Sequence, residues 1–302
     1  VKPMGIPGVA SWARSFYDTY IFDLDGTIYL GDQLLPGARR LLEELRDRKI
    51  PVRFLSNNPT KGPSEYLEKL SVLGLEAHPH EIITTVVATS RWLKRNHPGA
   101  KVYPIAEAPL IEELTSQGIA LSDDPSEIDV VIASYDRGFD YMKLQTAFDA
   151  IWFHKRAILI GTNPDRYCPF PGGRGEPDCA AIIAAIEACT GSQCTEIIGK
   201  PNPAMLAAAL DGLDVALDRV VMVGDRLGTD IAMAIGAGTA SAMPLTGDSS
   251  EADVLGLPED ERPTLVIERI DQLVPREVWE ESGWSLEDAT LTPDQMLRLT
   301  VD

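Results

Sequence analysis

The chain has 302 residues, with 27 Lys plus Arg against 46 Asp plus Glu and a formal net charge of −19. At roughly 100 to 200 residues per domain, this length predicts two domains or one large one. Its 44% hydrophobic and 24% charged residues exclude a disordered or fibrous chain. So acidic a protein lacks the basic footprint needed to track a nucleic-acid polymer, because long-range repulsion opposes association. Any phosphate it handles must be small and locally held. Cys168, Cys179, Cys189 and Cys194 form no CxxC pair and read as reduced thiols of a cytoplasmic protein. The longest apolar runs, such as Ala180 to Ile186, fall far short of the roughly 18 to 20 residues that cross a bilayer, and residues 1–14 lack the apolar stretch of a signal peptide. A cytoplasmic location without a membrane partner is expected.

Short apolar runs rich in β-branched residues alternate with helical-period segments, the pattern of βα units around a parallel sheet, so the fold class is α/β. In chain order the expected strands are residues 19–24, 51–55, 102–105, 129–134, 157–160, 196–198, 219–223 and 264–267. Residues 37–49 set Leu41, Leu42 and Leu45 on one helix face, and residues 141–154 are also amphipathic. From Pro275 onward the chain turns acidic, carries Trp279 and Trp284, and shows no strand signal. That tail reads as a docked appendage or an oligomer contact.

Four short segments carry the chemistry. Asp23 and Asp25 end the first apolar strand just before Gly26, where ligands bind in a doubly wound sheet, and both would share a face if the strand continued. A calcium loop is excluded because Ile28 and Leu34 stand where glycine and glutamate are required. After the second strand, Ser56-Asn57-Asn58 offers a hydroxyl and backbone N–H groups suited to a phosphate oxygen, or simply a turn and a helix cap. Lys200 follows another strand in Gly199-Lys200-Pro201; Cys194 and Pro201 exclude a Walker loop. Asp225 and Asp230 follow a further strand, and Asp230 could be a helix N-cap.

The ordered set DLDGT, SNN, GKP and GDRLGTD resembles the four motifs of the haloacid dehalogenase-like hydrolases, over about residues 17 to 275. The long stretch between the second and third motifs is similar to the subgroup with a large α/β cap, which includes p-nitrophenylphosphatase-like enzymes and nucleotide, sugar-phosphate, phosphoglycolate and pyridoxal-phosphate phosphatases. The resemblance implies a doubly wound, Rossmann-like core at residues 15–83 and 185–276, an inserted cap at 84–184 and an appendage at 277–302. It makes Asp23 the nucleophile and Asp25 the general acid/base. Ser56 and the Asn57 backbone would hold the phosphoryl group, and Lys200 would offset its charge. Mg2+ would be bound by Asp23, Asp225 and the Asp25 carbonyl, with Asp230 behind them.

The electrostatics suit this assignment. Like charges 4 Å apart repel by roughly 4 kcal/mol at an effective dielectric near 20, so a carboxylate needs a hard cation and a lysine beside it to meet a phosphate dianion. The implied activity is phosphate-monoester hydrolysis through an aspartyl-phosphate. In the cap, the resemblance points to Asp165, Arg166 and Cys168 near the substrate. Asp178 occupies a turn that is PGTG-like in many relatives; facing the cleft, it would disfavour acidic substrates and bind a hydroxyl. The expected partner is therefore a small phosphorylated metabolite, with sugar or polyol phosphates ahead of nucleotides, phosphoglycolate and pyridoxal phosphate. A phosphotransferase or a non-catalytic phosphometabolite sensor is the competing reading, and a homodimer is possible. His78 and His80 read as a surface loop.

Overall fold

The computed structural model describes residue 6, residues 8–169 and residues 174–285. Within them the first strands are β1 (Thr19–Asp23), β2 (Tyr29–Leu30), β3 (Gln33–Leu34), β4 (Val52–Ser56), β5 (Ile82–Thr84), β6 (Val102–Ile105) and β7 (Val130–Ala133). They are followed by β8 (Ile158–Gly161), β9 (Tyr167–Pro169), β10 (Gly175–Pro177), β11 (Glu196–Ile197), β12 (Val220–Val223), β13 (Ala240–Pro244) and β14 (Leu265–Ile267). The helices are α1 (Ala38–Asp47), α2 (Pro63–Val72), α3 (Thr85–Asn96), α4 (Ala108–Ser116), α5 (Tyr141–Phe148), α6 (Cys179–Thr190), α7 (Pro203–Ala209), α8 (Ala232–Ala237), α9 (Glu251–Leu255) and α10 (Arg276–Ser282). No helix among the described residues is long and apolar enough to cross a membrane. The elements form two compact units: residues up to Leu55 with Leu67–Ile82 and residues from Ala209 onward, and Ser56–Tyr66 with Ile83–Ala208.

A six-stranded sheet runs β14-β13-β12-β1-β4-β5, with β1 parallel to both β12 and β4. Strands buried on both faces need apolar residues throughout, which the buried Tyr20-Ile21-Phe22 and Val220-Val221-Met222-Val223 supply. The chain builds outward from β1 on one side and from β12 on the other. The order therefore reverses between β1 and β12, which makes their carboxyl ends the crevice where α/β sheets bind ligands. Strand β13 escapes the sequence pattern because Ala-Ser-Ala-Met-Pro has no β-branched residue. Helix α1 buries Ala38, Leu41, Leu42 and Leu45, as its periodicity predicts.

The tail docks on the first unit as far as Ser285. Trp279 is 4% exposed. Its indole N–H donates to the Asp271 carbonyl at 2.9 Å, and its ring meets Trp12 and Trp284 edge-on at 5.1 and 5.7 Å. The fully buried Asp271 carboxylate pairs with Arg269 at 2.8 Å and Arg40 at 3.2 Å, and the Arg40 guanidinium lies over Trp279 and Trp284. Residues 286–302, part of the expected appendage, lie outside the described residues.

The second unit holds a parallel sheet ordered β11-β8-β7-β6. Alternation along β7 sends Val131 and Ala133 to one core, with Ile182, Ile183 and Ile186 of α6, and Val130 and Ile132 to another, with Leu110 and Leu114 of α4. Residues 185–208 group with this unit because β11 pairs with β8, placing Glu196 opposite Ile160. The compact units thus divide at points other than 84 and 184. The amphipathic stretch 141–154 is α5 continued by a π-helical turn at Asp149–Phe153.

Truncating a large buried aromatic costs about 3–5 kcal/mol. Trp279→Ala is expected to lower the urea midpoint accordingly and Trp279→Phe to lower it less; a Trp279→Ala midpoint equal to wild type would show that the tail is not docked.

Candidate active site

Asp23, Asp225 and Asp230 each present a carboxylate oxygen, and the three lie within 4.8 Å of one another. Asp23 is the last residue of β1 and Asp225 lies two residues past the end of β12, so the sheet's switch point brings them together. Asp230 lies in a π-helical turn, Leu227–Ile231, in which the N–H groups of Asp230 and Ile231 both donate to the Arg226 carbonyl, at 3.0 and 3.3 Å. It is fully buried within the turn, not at a solvent-facing N-cap.

Asp225 uses one carboxylate oxygen in a protein hydrogen bond and leaves the other open. Its Oδ2 accepts the Asp248 N–H at 2.7 Å, whereas its buried Oδ1 has no hydrogen-bond partner. Burial pushes its pKa above the ordinary value and Asp230 adds to the rise, while the Asp248 N–H and Arg226 oppose it. The surrounding turns are cut to fit this carboxylate. Gly26 has φ 86°, and a Cβ there would stand 2.5 Å from Asp225 Oδ2; a Cβ at Gly247 would overlap the same carboxylate. Only glycine allows both approaches. Thr246 Oγ1 donates to the Gly26 carbonyl at 2.9 Å and ties the two turns together. Desolvation opposes the charge of Arg226, but Asp225, Asp23, Asp248 and Asp230 outweigh it and raise the guanidinium pKa.

The strand does not continue past Asp23. Leu24 opens a turn whose carbonyl accepts the N–H groups of Thr27, Ile28 and Tyr29, so Asp25 lies exposed on the turn beside Gly26 instead of on an extended strand. The donor set of the cluster is entirely carboxylate oxygen, and the buried Asp225 Oδ1 has no hydrogen-bond partner. That chemistry fits a hard divalent cation held by Asp23, Asp225 and Asp230.

In the second unit the Ser56 hydroxyl pairs with the Tyr66 hydroxyl at 2.7 Å and accepts the Asn58 N–H at 3.2 Å, which fixes its direction. The Asn57 side chain takes the Lys200 N–H on its Oδ1 at 2.8 Å and returns its Nδ2–H to the Lys200 carbonyl at 3.0 Å. Asn57 therefore clamps the turn that carries the buried Lys200. Asn163, also buried, donates to Asp165 at 3.0 Å and Asp178 at 3.3 Å. Arg166 is exposed. Burial, with Asp178 beside it, raises the pKa of the Cys168 thiol. Asp178 is 5% exposed, and its carboxylate caps α6 by accepting the Cys179 N–H at 2.6 Å. The Cys179 thiol, in the core, is pushed up to about 12 by burial.

The residues that sequence reading missed are Thr246, Gly247 and Asp248, which follow the unrecognised β13; a Gly-Asp turn after a strand was the available signal. Arg226, inside a recognised motif, was also passed over.

Because the pKa of Asp225 is raised in the folded chain, its ionised form costs stability at neutral pH, and that cost disappears as pH falls through the raised value toward the ordinary 3.8. Without added divalent cation, Asp225→Asn is expected to melt above wild type at neutral pH. The gap should close on acidification. Thermal unfolding followed by circular dichroism checks this, and a lower melting temperature for the variant at neutral pH would contradict it.

Residues 20–120 match the model of the haloacid dehalogenase-like hydrolases, and residues 197–273 match a HAD-hydrolase-like model. An acid sugar phosphatase of Staphylococcus epidermidis is 36% identical over 239 residues, 79% of this chain and 90% of that protein. The 4-nitrophenylphosphatase of Thermotoga maritima superposes with a TM-score of 0.77 at 30% identity, covering 85% of this chain and 96% of its own. NagD of E. coli K-12 gives 0.75 at 28% identity, with 85% and 98% covered. The chain belongs to the haloacid dehalogenase-like hydrolases, in the phosphatase subgroup that includes NagD and the p-nitrophenylphosphatases.

Proposed function

We propose that this hydrolase is a Mg2+-dependent phosphatase of small phosphate monoesters, with sugar or polyol phosphates preferred, and that it works through an aspartyl-phosphate on Asp23. The observation that carries the reading is the Asp23, Asp225 and Asp230 cluster, with its unpartnered buried Asp225 oxygen, at the switch point of the sheet. The acid sugar phosphatase relative supports the substrate class.

A bound Mg2+ would supply the positive charge that lets an anionic nucleophile approach a phosphate dianion. In the proposed reaction the Asp23 carboxylate attacks phosphorus, and the ester oxygen leaves with a proton from Asp25. Asp25 then takes a proton from the water that cleaves the acyl phosphate, regenerating Asp23. Ser56 and the Asn57 N–H would hold phosphoryl oxygens and Lys200 would offset their charge, with Asn57 also fixing the Lys200 turn. Residues 84–184 would act as the cap that selects substrate, through Asp165, Arg166 and Cys168. Asp178 would act there through Asn163, which bonds both aspartates.

With p-nitrophenyl phosphate, the full chain should release phosphate only with Mg2+, and chelation should abolish turnover. Asp23→Asn, with an unchanged circular dichroism spectrum, should lose at least about 10³-fold in kcat; near-normal turnover would remove Asp23 as nucleophile. On a panel of phosphorylated metabolites, kcat/KM should be higher for sugar and polyol phosphates than for phosphoglycolate, nucleotides and pyridoxal phosphate. The reverse order would overturn the substrate class alone.

A further inference from the structure

We propose that Ile6 together with residues 8–13 is a positioning element for the cation site, bracing the π-helical turn that carries Asp230. This rests on reading the three-carboxylate cluster as that site. Both family matches leave the segment out, since the first begins at residue 20 and the second ends at 273.

Ile6, 6% exposed, and Val9 share one apolar cluster with Leu227 and Ile231 of the turn and with Met243, Leu245, Val254 and Val266. A π-helical turn holds one residue more than an α-helical turn and recurs at functional sites. Here Thr229, Asp230 and Ile231 all donate to a single Arg226 carbonyl. Asp230 contributes its oxygen to the cluster with Asp23 and Asp225, while its neighbour Ile231 is fully buried in the apolar cluster. Whatever fixes Ile231 therefore fixes the backbone from which Asp230 reaches its partners.

The segment is anchored well enough to act as a brace. The Ala10 N–H donates to the Thr264 carbonyl at 3.2 Å, and its carbonyl accepts the Val266 N–H at 2.9 Å, so the segment covers the edge of β14. Further along, the Ala13 N–H reaches the Gln272 carbonyl at 3.0 Å and the Trp12 indole reaches the Val274 carbonyl at 2.8 Å. Ile6 and Val9 are thus presented to the turn by a strap held at three points on the sheet edge and the tail clasp.

The test is Mn2+ binding to the full chain, followed by the electron paramagnetic resonance of the free ion, well below the unfolding temperature. The Ile6→Ala/Val9→Ala double variant should weaken Mn2+ about tenfold, the range seen when outer-shell support of a metal ligand is removed. Ile6→Val should restore wild-type affinity at that position. Leu41→Ala, a core change in α1 away from the turn, should lower the melting temperature yet leave the Mn2+ affinity unchanged. If the double variant does not fold, Ile6→Ala alone must weaken binding in the same direction. Wild-type affinity in the alanine variants, or equal weakening in Leu41→Ala, would overturn the proposal. Absence of Mn2+ binding by the wild-type protein would overturn both it and the cation reading on which it rests.

Discussion

Three carboxylates held with oxygens inside 4.8 Å of one another concentrate negative charge that repels itself wherever they are ionised. An arrangement that costs so much persists only because the surrounding fold over-determines it. The reversal of strand order between β1 and β12 delivers Asp23 and Asp225 to neighbouring strand ends. Gly26 and Gly247 then let two turns close on Asp225 where any side chain would collide. The π-helical turn brings in Asp230. Each device gives up some stability for a concentration of negative charge that a divalent cation would relieve, the usual trade at a site kept for chemistry.

The second unit solves a different problem. Lysine has a flexible stem, and a buried lysine is useful only where its backbone is fixed. Asn57 does this by bonding both backbone groups of Lys200, so that the second and third motifs form one rigid element within the unit. The same economy recurs around Asn163, whose amide N–H groups hold Asp165 and Asp178. In both places an asparagine, able to donate and accept at once, orders charged neighbours without adding charge of its own.

Much of this was legible in the chain, for physical reasons. Runs such as Tyr20-Ile21-Phe22 and Val220-Val221-Met222-Val223 announce central parallel strands because burial on both faces demands continuous apolar side chains. Acidic residues at the ends of those runs mark the crevice by topology alone. β13 was hidden because Ala240 to Pro244 carries no strand preference, and with it went the Thr246-Gly247-Asp248 turn that cradles Asp225. Asp230 looked like a helix cap because a π-helical turn leaves no periodic trace. The Asn57 clamp could not be read either, since its partner is 143 residues away. Nor could the place of Asp178: the same polar residue before a helix reads equally as an open ligand group or as a buried cap.

The most direct test is anomalous diffraction from crystals equilibrated with Mn2+. The account predicts one strong anomalous peak among the carboxylates of Asp23, Asp225 and Asp230, close to Asp225 Oδ1. A map without a peak there, at a Mn2+ concentration that supports phosphate release in solution, would contradict it.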